Sequence, residues 1–327
     1  MNETRGPLPI AGGEVLVIVN PAARRLPSLR RRQAADEWLR AQGRQVEWVE
    51  TAARGDAIAI AARAAERGVP LVFVCGGDGT LSEAAHGLAG SETALAVIPG
   101  GTVNLWARET GLLKRPLEAV QLAVQGERRK IDLGKAGDRH FLLMAGYGVD
   151  ASVTHRVSPR VKGRLGAAAY ALAAAREALT YQSASVRLWI DDELLEDRVL
   201  MVLAGNTQLY AGITRIALEA RADDGLLDVC VYRGRGKIEI LAHAARTLLR
   251  LHRGSKRVVY RRARRLRFEW EQPLPMQLDG DAFPLSAAEV TVVPGALWVA
   301  VPAGLRSRLF SDRPELQPEG VLTRPRP

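Results

Sequence analysis

Val74-Cys-Gly-Gly-Asp-Gly-Thr-Leu-Ser-Glu-Ala-Ala-His-Gly87 completes the apolar run Val69-Pro-Leu-Val-Phe-Val-Cys75. The run reads as a buried strand, and the residues from Leu81 onward as the helix that follows it. Three glycines within 76–79 are more than a strand-to-helix turn needs. Glycine tolerates φ > 0 and lets another group approach the backbone closely. Thr80 opens an amphipathic segment, so free N–H groups gather at a helix N-terminus, which is a place for an anion such as phosphate. Asp78 would oppose a bare anion. Glycines together with a carboxylate therefore point to a nucleotide with Mg²⁺. A tight structural turn is the other reading of the same residues.

Outward from this stretch, strands and helices alternate. Strands are expected at Glu14–Asn20, Val46–Val49, Pro70–Cys75 and Ala94–Ile98, and helices at Leu29–Gln42, Ala57–Arg67, Leu81–Leu88 and Pro116–Gln125. Continuous apolar strands separated by helices mean a parallel sheet covered on both faces. Ligands of such sheets bind at the carboxyl ends of the strands. Three loops leave those ends: Asn20-Pro-Ala-Ala23, Gly76-Gly-Asp-Gly-Thr80 and Pro99-Gly-Gly-Thr-Val-Asn104. After Arg128 short alternating runs take over: 130–134, 140–146, 185–190, 198–204, 225–232, 266–270 and 289–293. They predict a largely antiparallel β region with inserted helices at Leu165–Tyr181 and Ile238–Arg250. The expected fold class is α/β plus β, a Rossmann-like nucleotide domain at 12–129 and a β-sandwich domain at 130–302, with the active site in the cleft between them. Residues 303–327 form a tail that is proline-rich near its end and that could pack back on the first domain.

The chain has 327 residues, 47% of them apolar, which suits two packed domains. Its net charge of +10, from 46 Lys and Arg against 36 Asp and Glu, favours anionic partners. Cys75 and Cys230 are isolated, so neither a disulfide framework nor a zinc cluster is indicated. The start lacks the apolar core of a signal peptide, so the cytoplasm is expected. Leu165–Ala175 is alanine-rich and 11 residues long, whereas a membrane span needs roughly 20. G-x-x-x-x-G-K-[ST], G-x-G-x-x-G after a strand, H-E-x-x-H and G-x-S-x-G are all absent.

Gly76-Gly-Asp-Gly-Thr80 with Leu-Ser-Glu83 resembles the nucleotide-binding signature of the diacylglycerol kinase catalytic family, in its bacterial soluble lipid-kinase branch. NAD kinases share the pentapeptide, and 6-phosphofructokinases carry close variants. Further segments follow in the family's order: Ile98-Pro-Gly-Gly-Thr-Val-Asn-Leu-Trp-Ala-Arg108, Lys130-Ile-Asp-Leu-Gly134, Gly146-Tyr-Gly-Val-Asp-Ala151, Gly205-Asn-Thr-Gln-Leu-Tyr-Ala-Gly212, Asp223-Asp-Gly-Leu-Leu-Asp228 and Leu278-Asp-Gly-Asp281. The likeness runs from about residue 14 to 302.

The resemblance implies a kinase that moves a phosphoryl group from ATP, with Mg²⁺, to a lipid hydroxyl such as that of diacylglycerol. Gly76, Gly77, Asp78, Gly79, Thr80, Leu81, Ser82 and Glu83 would wrap the nucleotide phosphates, with Asn20, Thr51, Thr102 and Asn104 contributing from neighbouring loops. Asp78 and Asp132 would hold the catalytic Mg²⁺, and Asp281 would be the general base. A structural Mg²⁺ would sit on Asp224 and the carbonyls of Arg221 and Leu226. Each element has a plainer reading: Asp223-Asp-Gly225 as a turn, Asp279-Gly-Asp281 as a hairpin, Asp132 as a cap. Two departures stand out. Arg24 replaces the family's usual glycine, and Asp281 its usual glutamate. An NAD kinase-like enzyme would need an Asn-Glu pair for ribose, which Gly205-Asn206-Thr207 does not supply. A non-catalytic lipid-binding relative is the other alternative.

Arg253, Lys256, Arg257, Arg261, Arg262, Arg264, Arg265 and Arg267 form a run without acids. It reads either as a face that docks on an anionic bilayer or as a solvated surface. No nucleic-acid motif accompanies the charge. Peripheral membrane contact is expected, and homodimerisation is left open.

Overall fold

The computed structural model describes residues 5–7, 13–156, 176–177, 180–210, 212, 214–249, 251–284 and 286–311. The first strands are β1 (Arg5–Pro7), β2 (Glu14–Val19), β3 (Gln45–Glu50), β4 (Leu71–Gly76) and β5 (Ala94–Pro99). Helices α1 (Leu29–Ala41), α2 (Asp56–Glu66), α3 (Asp78–Leu88), α4 (Leu105–Glu109) and α5 (Pro116–Val124) accompany them. Strands β3, β2, β4 and β5 lie side by side in that order, all parallel. Residues 15–19, 71–76 and 94–98 are buried throughout, so both faces of these strands are covered. Strand β3 forms the edge and alternates instead. Helix α3 lies close on α2: a Cβ on Gly87 would stand 2.4 Å from the Ile58 carbonyl oxygen.

The rest of the described chain is mostly antiparallel: β6 (Glu127–Ala136), β7 (Arg139–Phe141), β8 (Met144–Gly148), β9 (Ala184–Ile190), β10 (Glu193–Gly205), β11 (Leu209–Tyr210), β12 (Thr214–Arg215), β13 (Leu227–Arg233), β14 (Val258–Ala263), β15 (Arg265–Trp270), β16 (Met276–Leu278), β17 (Asp281–Phe283) and β18 (Glu289–Val301). Helix α6 (Val149–Arg156) follows β8, and α7 (Lys237–Leu248) follows β13. This is the expected fold class, an N-terminal α/β unit joined to an antiparallel β unit. One apolar core, with Phe73 and Trp106, fills the α/β unit and continues into the β unit through Leu203, Cys230 and Tyr232, and a second, with Tyr147 and Phe268, lies within the β unit. Strand β18 joins the two units, running parallel to β5 at Trp298 and antiparallel to β6 and β15. A bulge between Val293 and Leu297 lets one strand serve both pairings. Leu309 and Phe310 are buried in the first of the two cores.

The structure amends some boundaries. Helix α3 begins at Asp78, with Gly77 as its N-cap, so Gly79 and Thr80 are helical rather than part of a loop. An acidic residue in the first turn opposes the positive end of the helix dipole, which favours this earlier start. Gly76, Gly77 and Gly79 therefore do not need φ > 0, and none of them adopts it. Most of the helix expected at Leu165–Tyr181, and the tail beyond Ser311, lie outside the described residues.

Candidate active site

The carboxyl ends of β2, β4 and β5 bring the three expected loops together. Asn20 N–H donates to the Cys75 carbonyl at 3.1 Å, and Gly100 N–H to that of Gly76 at 2.8 Å. The glycines serve close approach: a Cβ on Gly101 would stand 2.6 Å from the Gly77 Cα. Two loops thus cross backbone on backbone beside the α3 N-terminus, where the first N–H groups of a helix have no intrahelical acceptor. Asn20 donates its amide to the Thr80 hydroxyl at 2.8 Å. Asn104, at φ 52°, spends its amide on Gly101, donating to its carbonyl at 2.9 Å and accepting its N–H at 3.0 Å. It shapes the loop rather than presenting the amide outward. Thr51 is buried at the end of β3, Thr102 is exposed, and the Leu81 side chain lies in the core. Glu83 accepts the Gly55 N–H at 2.9 Å and ties α3 to the β3–α2 loop. The Asp78 carboxylate accepts the Trp106 N–H at 3.4 Å. Burial pushes its pKa up, and the nearby Asp279 charge adds to that.

Above the first turn of α3 stands the β16–β17 hairpin. Asp279, in the left-handed region at φ 52°, is buried. It accepts the Ser82 hydroxyl and the backbone N–H groups of Leu142 (2.8 Å), Leu143 (2.7 Å) and Met144 (2.8 Å). Asp150 on α6 accepts the Gln277 amide at 2.9 Å, and Gln277 in turn accepts the Gly280 N–H at 2.7 Å. The tip is thereby held from both sides. Asp281, the next residue, projects towards α3: a Cβ on Gly79 would lie 3.1 Å from its Oδ2. Arg54 Nη2 stands 3.6 Å from the same oxygen. These groups line a cavity of about 490 Å³ together with Ser82, Glu83, Arg139 and His155. Burial lowers the Arg139 pKa, while the Glu83, Asp279 and Asp281 charges oppose that shift.

Asp132 stands in a second group. Its carboxylate accepts N–H bonds from Gly225 (2.6 Å) and from Gly295 (2.8 Å), the φ 57° residue of the β18 bulge. Burial raises its pKa, as it does those of Asp223 and Asp224, and the charge of Asp132 adds to both of the latter. Asp224 accepts the Leu226 N–H at 3.1 Å and is ion-paired with Arg262, which also reaches Asp228 at 3.5 Å. A cation on Asp224, Arg221 and Leu226 would thus have to displace a guanidinium. Among the described residues no three His, Cys, Asp or Glu side chains close on a point suited to a metal.

Much of the basic run is also engaged. Arg257 pairs with Glu239 (3.1 Å), Arg261 with Glu193 (3.0 Å) and Arg267 with Glu269 (3.7 Å). Residues 265–270 do alternate as expected, with Leu266 and Phe268 inward. The acid-free run in sequence is therefore not an acid-free face in space. Sequence reasoning missed Asp279, Asp150, Gln277, Arg54 and Arg139 as parts of the site. The first three lie within or beside the family-like segments, whereas nothing local marks the two arginines.

Comparison with known proteins bears on both halves of the chain. Residues 14–136 match the diacylglycerol kinase catalytic domain, and residues 144–301 the YegS C-terminal NAD kinase beta sandwich-like domain. A YegS-like protein of Chromohalobacter salexigens, named a probable lipid kinase, is 32% identical over 308 residues, covering 93% of this chain and 98% of the relative. A diacylglycerol kinase of Bacillus subtilis is 29% identical over 71% of this chain and 77% of its own. The crystal structure of a candidate diacylglycerol kinase from Bacillus anthracis superposes with a TM-score of 0.78 at 26% identity, over 92% of this chain and 98% of that one.

Proposed function

The chain belongs to the diacylglycerol kinase catalytic-domain family, in its YegS-like branch, and on that premise we propose that it is an ATP-dependent lipid kinase acting on the hydroxyl of a membrane lipid such as diacylglycerol. The observation that carries the reading is the position of Asp281, a carboxylate held over Gly79 at the N-terminus of α3 in a cavity flanked by arginines.

The nucleotide phosphates lie against the α3 N-terminus and the crossed glycine loops, where backbone N–H groups and the helix dipole hold negative charge. The carboxylates near the α3 N-terminus, Asp78 and Asp281, are oxygen donors, which suits Mg²⁺. Asp78 would contribute to holding it, chiefly beside phosphate oxygens and water, and the ion would neutralise charge on the transferring group. Asp281 accepts the proton of the lipid hydroxyl as its oxygen bonds to the γ-phosphorus and the bond to the ADP oxygen breaks. Arg54 and Arg139 face the same space and stabilise the negative charge there. The hairpin anchored by Asp279 fixes the base relative to α3. Asp132 organises the β18 bulge and the loop at Gly225, and Asn206 supports it by donating to the Asp132 carbonyl at 2.9 Å. We assign no step to a cation at Asp224, where Arg262 stands.

Labelled ATP incubated with the purified chain and a bacterial lipid extract tests the reading. Label in an extractable phospholipid supports it, and mass spectrometry names the acceptor. Label that stays in water-soluble products, or no transfer at all, removes it.

A further inference from the structure

Helix α7 is built inside out. Among the described residues the large apolar side chains that stand more than half exposed are Ile238 (74%), Leu241 (57%), Leu249 (68%) and Leu251, on this helix or just beyond it, and Leu29 on α1. At about 100° per residue, Ile238, Leu241, Ala242, Ala245 and Leu249 share one stripe, and all five are exposed. The opposite side carries two buried polar residues, His243 and Thr247, with the half-buried Ile240 beside them. His243 Nε2 lies 2.9 Å from the Arg233 carbonyl oxygen, and the Thr247 hydroxyl lies 3.2 Å from the Tyr232 hydroxyl. A surface helix of a water-bathed protein has the opposite arrangement. Lys237 and Arg246, both exposed, flank the stripe on its two sides.

We propose that α7 docks the protein on a bilayer containing anionic lipid, lying in the interfacial plane with its apolar stripe towards the acyl chains. The chemistry matches such a surface on two counts. An apolar stripe bordered by Lys and Arg is the pattern of a helix that lies on a membrane, since the cations reach the headgroups while the stripe sinks below them. The local charge also complements anionic headgroups: the helix carries a single acid, Glu239, and Arg257 already pairs with it at 3.1 Å. A second copy of the chain fits worse, because apposing two such stripes gathers the Lys237 and Arg246 charges of both copies without acids to offset them. Among the described residues no helix is long and apolar enough to cross a membrane, so contact through this face would be peripheral. The proposal deepens the lipid-kinase reading by naming the surface that reaches the substrate, but its test uses neither ATP nor turnover.

The native cysteines are both buried, so Leu241→Cys can carry an environment-sensitive fluorophore on the full-length chain. Leu194→Cys, on an exposed leucine of β10, is the control. Vesicles of phosphatidylcholine with phosphatidylglycerol should shift the emission to the blue at position 241 and not at 194, and phosphatidylcholine alone should do so weakly. Raising salt from about 0.1 to about 1 M should weaken binding without abolishing it, because the stripe is insensitive to screening. L241S with L249S should lower vesicle partitioning roughly tenfold or more and leave the unfolding midpoint unchanged. No shift at 241, equal shifts at both positions, or unaltered partitioning of the double variant would each overturn the proposal. So would a concentration-dependent dimer that the double variant loses, which would assign the face to a second copy. Vesicles free of diacylglycerol keep this result separate from kinase activity: failed docking leaves the phosphoryl-transfer reading intact, and failed turnover leaves docking intact.

Discussion

Ser82 donates its hydroxyl to the buried Asp279 carboxylate, so helix α3 and the hairpin carrying Asp281 are fastened side chain to side chain. The same carboxylate takes three backbone N–H groups from residues 142–144. Asp279→Asn puts an NH₂ group where donors already point, and should cost about 2–4 kcal/mol of stability as well as most of the activity. Ser82→Ala removes one donor and should cost about 1 kcal/mol. Urea unfolding of both variants measures this, and equal small losses would mean that the fastening is unimportant.

Asp281 is separable from that anchor. Its side chain is 39% exposed and its ion pair with Arg54 is long, so Asp281→Asn should leave the unfolding midpoint near that of the wild type. It should lower kcat by roughly 10²–10⁴ with little change in the ATP KM, the signature of a lost base. Asp281→Glu should retain activity. Equal loss in both variants would make the position structural.

Two glycines test how the nucleotide loop is built. A Cβ on Gly101 meets the Gly77 Cα at 2.6 Å, backbone against backbone, and neither side can yield without moving the loop. Gly101→Ala should therefore weaken ATP binding severalfold or more. A Cβ on Gly79 meets only the Asp281 side chain, at 3.1 Å, which can rotate. Gly79→Ala should lower kcat and spare ATP affinity. Isothermal titration with ATP separates the two, and the reverse ranking would sink the argument.

The parallel strands were legible because β2, β4 and β5 are continuous apolar runs, and a strand apolar on both sides must be covered on both faces. Strands β16 and β17, three residues each, are too short for a period to show, and only the Asp279-Gly280 pair signals their hairpin. The motif marks Asp281 as a candidate, but not the residues that hold it. Asp279 binds Ser82 and residues 142–144, and such partners are set by tertiary contact rather than by spacing. The ion pairs within the basic run were hidden for the same reason: Glu239, Glu193 and Asp224, which pair with Arg257, Arg261 and Arg262, are distant in sequence. Helix α7 was expected near its observed limits, yet which of its faces is buried depends on Tyr232 and Arg233.

Acid should weaken the fold through a histidine pair. His86 Nδ1 on α3 lies 3.1 Å from His140 Nδ1 on β7, and His86 Nδ1 also accepts the His140 backbone N–H at 3.3 Å. Burial pushes the His86 pKa down to about 4, and the charges of Arg139, His140 and Lys135 push the same way. The His140 pKa is lowered too, again chiefly by burial. In the unfolded chain a histidine titrates near 6.5. Between about 6.5 and about 4 the unfolded chain therefore binds protons that the folded one refuses. The stabilisation is complete above about 6.5 and is lost as pH falls towards 4. At about 1.4 kcal/mol per pKa unit the full shift would be about 3.5 kcal/mol, and solvent screening of the half-exposed His86 reduces it below that. Buried carboxyls such as Asp78 and Asp279 have raised pKa values and shift stability in the opposite sense. Only a difference between variants isolates the histidine. His86→Gln keeps an acceptor for the His140 N–H and cannot charge. Urea unfolding at about pH 7.5, 6 and 5 should show the wild type losing more stability than His86→Gln on acidification. Parallel slopes for the two proteins would show that His86 titrates as it does in water.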